Sequence, residues 1–249
     1  MSKMTLLEIV QDILSDMDSD EVNSINDSVE SLQVAQIVKS TYYNIIDGKD
    51  YPWLKELFQL NASGVASKPT FMSLPSTVID LEWIKYNKIK VGETKALYKK
   101  IIYKTPEDFL AITDLRDSSA SNVLVEIDSS GVRINAFNDR APQYFTSFDD
   151  EVLVFDAYDL ALEVSLQNSK TQCYGKRSVA FTLLDTFTPD MPVQMFTYLL
   201  AEAKSTCFAV LKQVANIKAE QTSVTQRRRM SQEAWKIKKG ITYPNYGRK

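Results

Sequence analysis

Residues 121–136 read SNVLVEIDSSGVRINA, and this stretch has the pattern of a β-hairpin. Val123, Val125 and Ile127 recur at every second position, so they share one face of an extended strand. The Asp, Ser and Gly residues at 128–131 are turn formers, and apolar residues resume after them with the same period. The stretch therefore predicts two antiparallel strands joined by a tight turn.

The two-residue period extends through residues 57–167 on both sides of this hairpin. Apolar residues alternate with charged ones around Leu81 and Ile101, and a further apolar run occupies 152–155. One short helix is predicted after Thr105, because a proline at the first helical position follows a capping residue. We expect this region to form an antiparallel β-sandwich or a barrel-like sheet.

Helical patterns flank the β-rich region on its N-terminal side. Thr5 and Glu8 have the spacing of a capping box, and apolar residues then recur every three or four positions, which predicts a helix over 5–17. A second box that begins at Asp27 predicts a broad, nearly buried helix that ends at Gly48.

A helical pattern also follows the β-rich region. Residues 168–187 are polar and irregular, which indicates a loop. Apolar residues then advance by three or four positions from Phe196 to Ile217, with Asp190 as the expected N-cap. This is the clearest helix that the sequence predicts.

The order of these patterns predicts an α+β fold. The N-terminal and C-terminal helices would form a helical bundle, with the β-rich region inserted between them and an extended arm at the C-terminal end. The predicted segments are the N-terminal helices of the helical domain at 1–56, the β-rich insertion at 57–167, the loop and long C-terminal helix at 168–226, and the basic C-terminal arm at 227–249.

Composition excludes several classes of site. The chain has no histidine, which removes the commonest general base, the histidine-activated nucleophiles and every histidine-ligated metal site. Cys173 and Cys207 have no metal-ligand spacing, and the seven glycines form no phosphate-binding loop. We therefore expect no catalytic, cofactor or metal residues and a protein that is not an enzyme. No uncharged apolar run approaches the ~18 residues that span a bilayer, so we expect cytoplasmic synthesis and no membrane partner.

The densest acidic cluster comprises Asp149, Asp150, Glu151, Asp156 and Asp159. Grouped carboxylates can bind Ca²⁺ or Mg²⁺ or act as an acid and base pair, which leaves a hydrolase as a third hypothesis. Aspartates are also favoured in turns, where they accept hydrogen bonds from nearby backbone groups, and we favour that structural interpretation.

Charge is distributed unevenly along the chain. Residues 212–249 hold ten Lys and Arg against Glu220 and Glu233, a net charge of +8, while residues 1–211 carry −11. Aromatic residues are interleaved with Lys and Arg in the basic arm at 227–249, a combination typical of a segment that binds a partner protein or a nucleic acid. The pattern alone leaves both open, and we expect residues 241–249 to be non-helical.

Several segments resemble, in order and spacing, the head-to-tail adaptor proteins of short-tailed bacteriophages, the tail tubular protein A type. The resemblance covers most of the chain, and none of its motifs is catalytic. The matching segments are VNSINDS at 22–28, ESLQVAQIVKSTYYNII at 30–46, YPWL at 51–54, LPSTVIDLEWIKY at 74–86, YFTSFDDEVLVFDAYD at 144–159, LLAEAKS at 199–205, KAEQ at 218–221 and YPNYGRK at 243–249.

The resemblance implies a structural virion protein at the head-tail junction. In that family a ring, typically of twelve copies, connects the portal to the tail nozzle and forms part of the channel through which DNA passes without sequence-specific binding. The alternative is a DNA-binding protein that uses the same basic arm. By this resemblance the residues that contact the portal would be Arg227, Arg228, Arg229, Trp235, Lys236, Lys238, Lys239, Tyr243, Tyr246 and Arg248.

Overall fold

The structure, a computed structural model, describes residues 3–89 and 92–238, with side chains described as far as residue 231. The described residues form an α+β fold. Their helices are α1 (Leu6–Asp16), α2 (Val29–Asp47), α3 (Pro106–Asp114), α4 (Val193–Cys207) and α5 (Ile217–Lys238).

Ten strands lie between α2 and α4 in the part of the chain that the structure describes. Eight of them form one sheet, in the order β1-β10-β4-β5-β8-β9-β3-β2, and β6 pairs with β7 in a separate hairpin. The strands are β1 (Lys55–Phe58), β2 (Asn61–Ala62), β3 (Phe71–Ser73), β4 (Val78–Asn87), β5 (Tyr98–Tyr103), β6 (Val123–Ile127), β7 (Arg133–Phe137), β8 (Tyr144–Ser147), β9 (Val152–Phe155) and β10 (Thr171–Arg177).

The chain divides into two compact units. The helical unit comprises Met1–Leu54 and Val179–Lys249, and the strand unit comprises Lys55–Ser178. Apolar side chains of α1, α2 and α4 share the core of the helical unit, and α5 contributes Met230 to it. The strand unit has its own core, in which Ile84, Ile101 and Phe155 are buried.

Local signals explain where α1 begins and ends. The Thr5 hydroxyl accepts a hydrogen bond from the Glu8 N–H, and the Glu8 carboxylate accepts one from the Thr5 N–H, so the predicted capping box is confirmed. The chain leaves the helix at Asp18, whose φ of 55° lies in the left-handed region. The predicted helix over 5–17 is thus observed as α1.

The predicted start of α2 was wrong by one residue. Ser28, not Asp27, is the N-cap, and its hydroxyl accepts a hydrogen bond from the Ser31 N–H. The Asp27 carboxylate instead accepts hydrogen bonds from the N–H groups of Asn23 and Ser24. The Asp27 carboxylate therefore stabilises the turn that precedes α2, and Ser28 caps the helix.

The hairpin predicted over 121–136 is confirmed as β6 and β7. Val123 lies opposite Phe137, and Ile127 lies opposite Arg133. Gly131 has a φ of 85°, which explains why the turn carries a glycine there.

Two expectations about the sheet are corrected. Residues 171–177 were predicted to lie in a loop but form β10, which pairs with both β1 and β4. The residues that β10 buries include Thr171 and Gly175, so its inward face does not have the apolar pattern that predicts a strand. The sheet is also mixed, because β5 and β8 pair in parallel across the long connection at 104–143.

The long C-terminal helix predicted to 217 is interrupted. α4 starts at Val193 after Pro192, so Asp190 is not its N-cap, and a π-helical turn follows at Phe208–Lys212. Gln213 then has a left-handed φ of 55°, and the chain reverses into α5. The apolar pattern beyond Cys207 is therefore not a buried stripe, and its members Val210, Val214 and Ile217 are more than half exposed.

Candidate functional site

The basic residues of the predicted arm begin on α5, which packs by one face and leaves these residues exposed. Ala219, Ser223 and Met230 recur at helical spacing and are buried. Arg227 and Arg228 lie between them in the sequence and are exposed. The helix is thus held by one face while its guanidinium groups remain accessible.

Arg227 lines a cavity of about 370 Å³ that is bounded by α2, α4 and α5. Lys49, which follows the C-terminal cap of α2, contributes a second cation, and its ammonium donates a hydrogen bond to the Ser231 hydroxyl. Tyr51, Tyr198 and Glu202 also line the cavity. Arg227 and Ser231 are four residues apart and so lie on one face of α5, and the Ser231 contact therefore holds Lys49 beside Arg227.

Electrostatics within this cavity favour an anion. Burial lowers the pKa of Lys49, and the nearby positive charge of Arg227 lowers it further. Burial raises the pKa of Tyr51 and Tyr198, so both phenols stay protonated and can donate hydrogen bonds. The carboxylate of Glu202 accepts a hydrogen bond from the Ser223 hydroxyl. The arrangement can hold a carboxylate or a phosphate between two cations and two hydroxyl groups.

The predicted portal-contact residues fall into three groups. Arg227, Arg228 and Arg229 are exposed on α5, so the predicted boundary between 226 and 227 falls inside this helix. Trp235, Lys236 and Lys238 lie within α5, where the structure describes the backbone but not the side chains. The other four predicted residues, Lys239, Tyr243, Tyr246 and Arg248, lie outside the described residues altogether, as does the segment 241–249 that was expected to be non-helical.

The acidic cluster of the strand unit is divided among structural roles. Asp149 accepts hydrogen bonds from the N–H groups of Glu151 and Val152, and Asp159 accepts one from Ala161 N–H. Asp156 is buried and pairs with Arg116. Turn formation and a buried ion pair therefore account for these three carboxylates.

Both cysteines are buried, and burial raises the pKa of each thiol to about 12. A thiol with such a pKa stays protonated at neutral pH and is a poor nucleophile. Cys207 belongs to the core of the helical unit, and Cys173 to that of the strand unit.

Lys49 and Glu202 were not predicted as neighbours of the arginines. No local pattern could reveal them, since Lys49 and Arg227 meet only because α5 folds back across α4. The helical spacing of Ala219, Ser223 and Met230 could have indicated the buried face of α5. The residues between them are mostly polar, which made this pattern weak.

Among the described residues, no helix is long and apolar enough to cross a membrane. No three potential metal ligands lie together among the side chains that the structure describes. No protein-family model matches the chain, and a search of curated proteins also gave no match.

Proposed function

We propose that this protein is a head-to-tail adaptor of a short-tailed bacteriophage. Copies of it would form a ring, typically of twelve, that joins the portal to the tail nozzle and forms part of the DNA channel. It would be located at the head-tail junction of the virion and would perform no catalysis. The sequence resemblance given above is the origin of this proposal.

The structural observation that supports it best is the way α5 presents its arginines. Arg228 is exposed on a helix whose opposite face packs through Met230 into the core of the helical unit. A guanidinium on an anchored helix loses less conformational freedom on binding than one on a free tail. Such a helix suits a permanent contact with a carboxylate-bearing protein surface.

The organisation of the chain also fits a connector. We infer that the N-terminal and C-terminal helices act as a helical bundle that joins neighbouring copies, with the strand unit as an inserted sandwich-like or barrel-like region that faces the nozzle. Two units with separate cores supply two surfaces for two partners.

The test is sedimentation velocity of the purified protein with the portal ring of the same virion. We expect the full chain to form a large stoichiometric complex. Two variants should bind the portal at least about tenfold more weakly, Arg228→Gln/Arg229→Gln and a chain that ends at Lys238. A chain that ends at Gln226 is a poor choice, because it also removes Met230 from the core.

Lys99→Gln/Lys100→Gln is the matched control, since it removes two exposed positive charges from the strand unit. It should bind the portal like the unchanged protein. Full portal binding by both the arginine variant and the shortened chain would overturn the assignment of this surface.

Duplex DNA is the competing partner. The alternative function, DNA binding through the basic arm, predicts association with DNA that falls steeply as salt rises, without any requirement for the portal. Co-sedimentation with DNA together with indifference to the portal would replace the adaptor proposal.

A further inference from the structure

The cavity between α2, α4 and α5 brings two cations together with a single carboxylate, that of Glu202, among its described lining residues. Among the described residues, no carboxylate lies within ion-pair distance of Lys49 or Arg227. Glu202 lines the same cavity, but its carboxylate accepts a hydrogen bond from Ser223. The described lining residues therefore carry two positive charges and one negative charge, and the two tyrosine hydroxyls can donate hydrogen bonds to an incoming anion.

A second charged region lies on the other side of α4. Lys204 points away from the cavity, because residues 202 and 204 are about 200° apart on a helix of 3.6 residues per turn. Its ammonium lies 2.8 Å from the Asp12 carboxylate and 2.5 Å from that of Asp16, both on α1. α4 thus separates the cationic cavity from the C-terminal end of α1.

The segment that follows α1 carries an excess of negative charge. Asp18, Asp20 and Glu21 are exposed, and no described Lys or Arg pairs with them. Lys204 is shared by two carboxylates, and Lys212 pairs with Glu30, so the neighbouring cations leave this excess in place. We call residues 18–21 the acidic segment.

We propose that the cationic cavity of one copy binds the acidic segment of the next copy, head to tail. The two surfaces are complementary in charge and lie on opposite sides of α4, so one copy can offer both at once. Such a contact is heterologous when it is not repeated in reverse about a two-fold axis, and repetition of it then generates a closed ring or a filament. This inference rests on the proposed function, because it names the surfaces through which the adaptor ring would close.

Two variants separate the two surfaces. Lys49→Gln/Arg227→Gln removes the cations of the cavity, and Asp18→Asn/Asp20→Asn/Glu21→Gln neutralises the acidic segment. Matched controls change the same numbers of exposed charges on the strand unit. They are Lys99→Gln/Lys100→Gln for the cavity and Asp80→Asn/Glu107→Gln/Asp114→Asn for the acidic segment.

The measurement is sedimentation velocity of each protein alone at about 100 μM, a concentration that detects contacts with a Kd near 1 mM or tighter. We expect the unchanged protein to associate at about 10 mM salt and to dissociate in about 1 M salt, where the screening length falls from about 30 Å to about 3 Å. Each surface variant should remain monomeric in both conditions, while both controls should associate like the unchanged protein.

Mixing the two surface variants gives the sharpest test. The cavity variant retains its acidic segment, and the segment variant retains its cavity, so one productive contact remains between them. We expect a one-to-one complex and nothing larger, because each remaining surface of that complex has lost its charges. The size of the unchanged protein's complex separates this contact from an isologous one, because a head-to-tail contact continues beyond two copies and an isologous contact stops at a dimer.

Three results would overturn the inference: an unchanged protein that stays monomeric in low salt, a surface variant that associates normally, or a mixture that forms no complex. Failure of the proposed function is a different result. If copies associate as expected but never bind the portal ring, the head-to-tail contact stands and the adaptor function fails. If all variants assemble equally on the portal, the function stands and this contact is wrong.

Discussion

The guanidinium of Arg116 lies 3.1 Å from the carboxylate of Asp156, and the two side chains are only 7% and 5% exposed. Arg116 also donates hydrogen bonds to the backbone carbonyls of Asn135 and Asp156. The other carboxylate oxygen of Asp156 accepts hydrogen bonds from the N–H groups of Gln143 and Tyr144. The pair therefore joins the segment that follows α3 to the strands beside it through groups that would otherwise be buried without partners.

Removal of one member of this pair should destabilise the strand unit strongly. We expect Arg116→Met to lower the free energy of unfolding by about 3–5 kcal/mol, because the Asp156 charge stays buried without its partner. Urea unfolding followed by circular dichroism measures the loss. Asp139→Asn removes one member of the exposed pair with Arg140 and should cost less than about 1 kcal/mol. Equal losses of unfolding free energy in the two variants would show that the buried Arg116–Asp156 pair is no more important for stability than an exposed pair.

Glu126 should make stability depend on pH. Its side chain is 1% exposed, and burial raises its pKa to about 7 from an ordinary value of 4.5, although a hydrogen bond from Thr70 opposes the shift. The folded state therefore keeps a proton that the unfolded state has lost, so stability falls as pH rises from about 4.5 to about 7.

We expect the Glu126 contribution to cost about 2–3 kcal/mol at pH 8 relative to pH 4.5. Urea midpoints measured at several pH values should show this decline in the unchanged protein and not in Glu126→Gln. Glu107→Gln alters an exposed carboxylate of α3 and serves as the control, with the decline retained. A Glu126→Gln variant that keeps the full decline would contradict the assignment.

Gly175 should tolerate no side chain. The pairing of β10 with β4 shifts register between Tyr174 and Gly175, and a Cβ at Gly175 would collide with the carbonyl oxygen of Asp80. We expect Gly175→Ala to cost about 3 kcal/mol, since backbone rather than a flexible side chain must move. Gly64→Ala is the comparison, because Gly64 has a φ of 67° but open space around it, and the left-handed backbone should cost only about 1–2 kcal/mol. Denaturant midpoints measure the loss of stability in each variant. A loss for Gly64→Ala that equals or exceeds the loss for Gly175→Ala would contradict this prediction.

Met230 should hold α5 against the helical core. Its side chain is 5% exposed, so Met230→Ala should lower the free energy of unfolding by about 2–4 kcal/mol. Arg228→Gln changes an exposed residue two positions earlier and should leave stability within about 0.5 kcal/mol. Thermal unfolding of both variants provides the measurement. An unchanged Met230→Ala variant would mean that α5 does not depend on this contact.

Local chemistry made much of the fold predictable. Thr5 and Glu8 satisfy backbone donors of their own helix, and Gly131 supplies a positive φ within its own hairpin. In both places the signal and its structural consequence lie within a few residues of each other. Such signals identify helices, strands and turns without knowledge of the partners that these elements later contact.

Features that depend on distant partners escaped the sequence patterns. β10 was missed because its buried positions hold Thr171, Cys173 and Gly175, which become a central strand only through pairing with β1 and β4. The cationic cavity was missed for the same physical reason, since Lys49 and Arg227 are brought together by tertiary packing alone. The periodicity of a sequence does not indicate contacts between residues so far apart in the chain.

The discontinuity of the helical unit bears on the order in which the protein is made. The ribosome completes α2 at Asp47 but does not reach Val193, where α4 starts, until the whole strand unit has been synthesised. At about 5–20 residues per second, the apolar faces of α1 and α2 stay for about 7–30 s without α4, which shares their core. The strand unit, whose sequence is continuous, can close its own core during that interval. The first two helices are therefore the part of the nascent chain that is most prone to aggregation. A chaperone that acts on this chain would be needed there first.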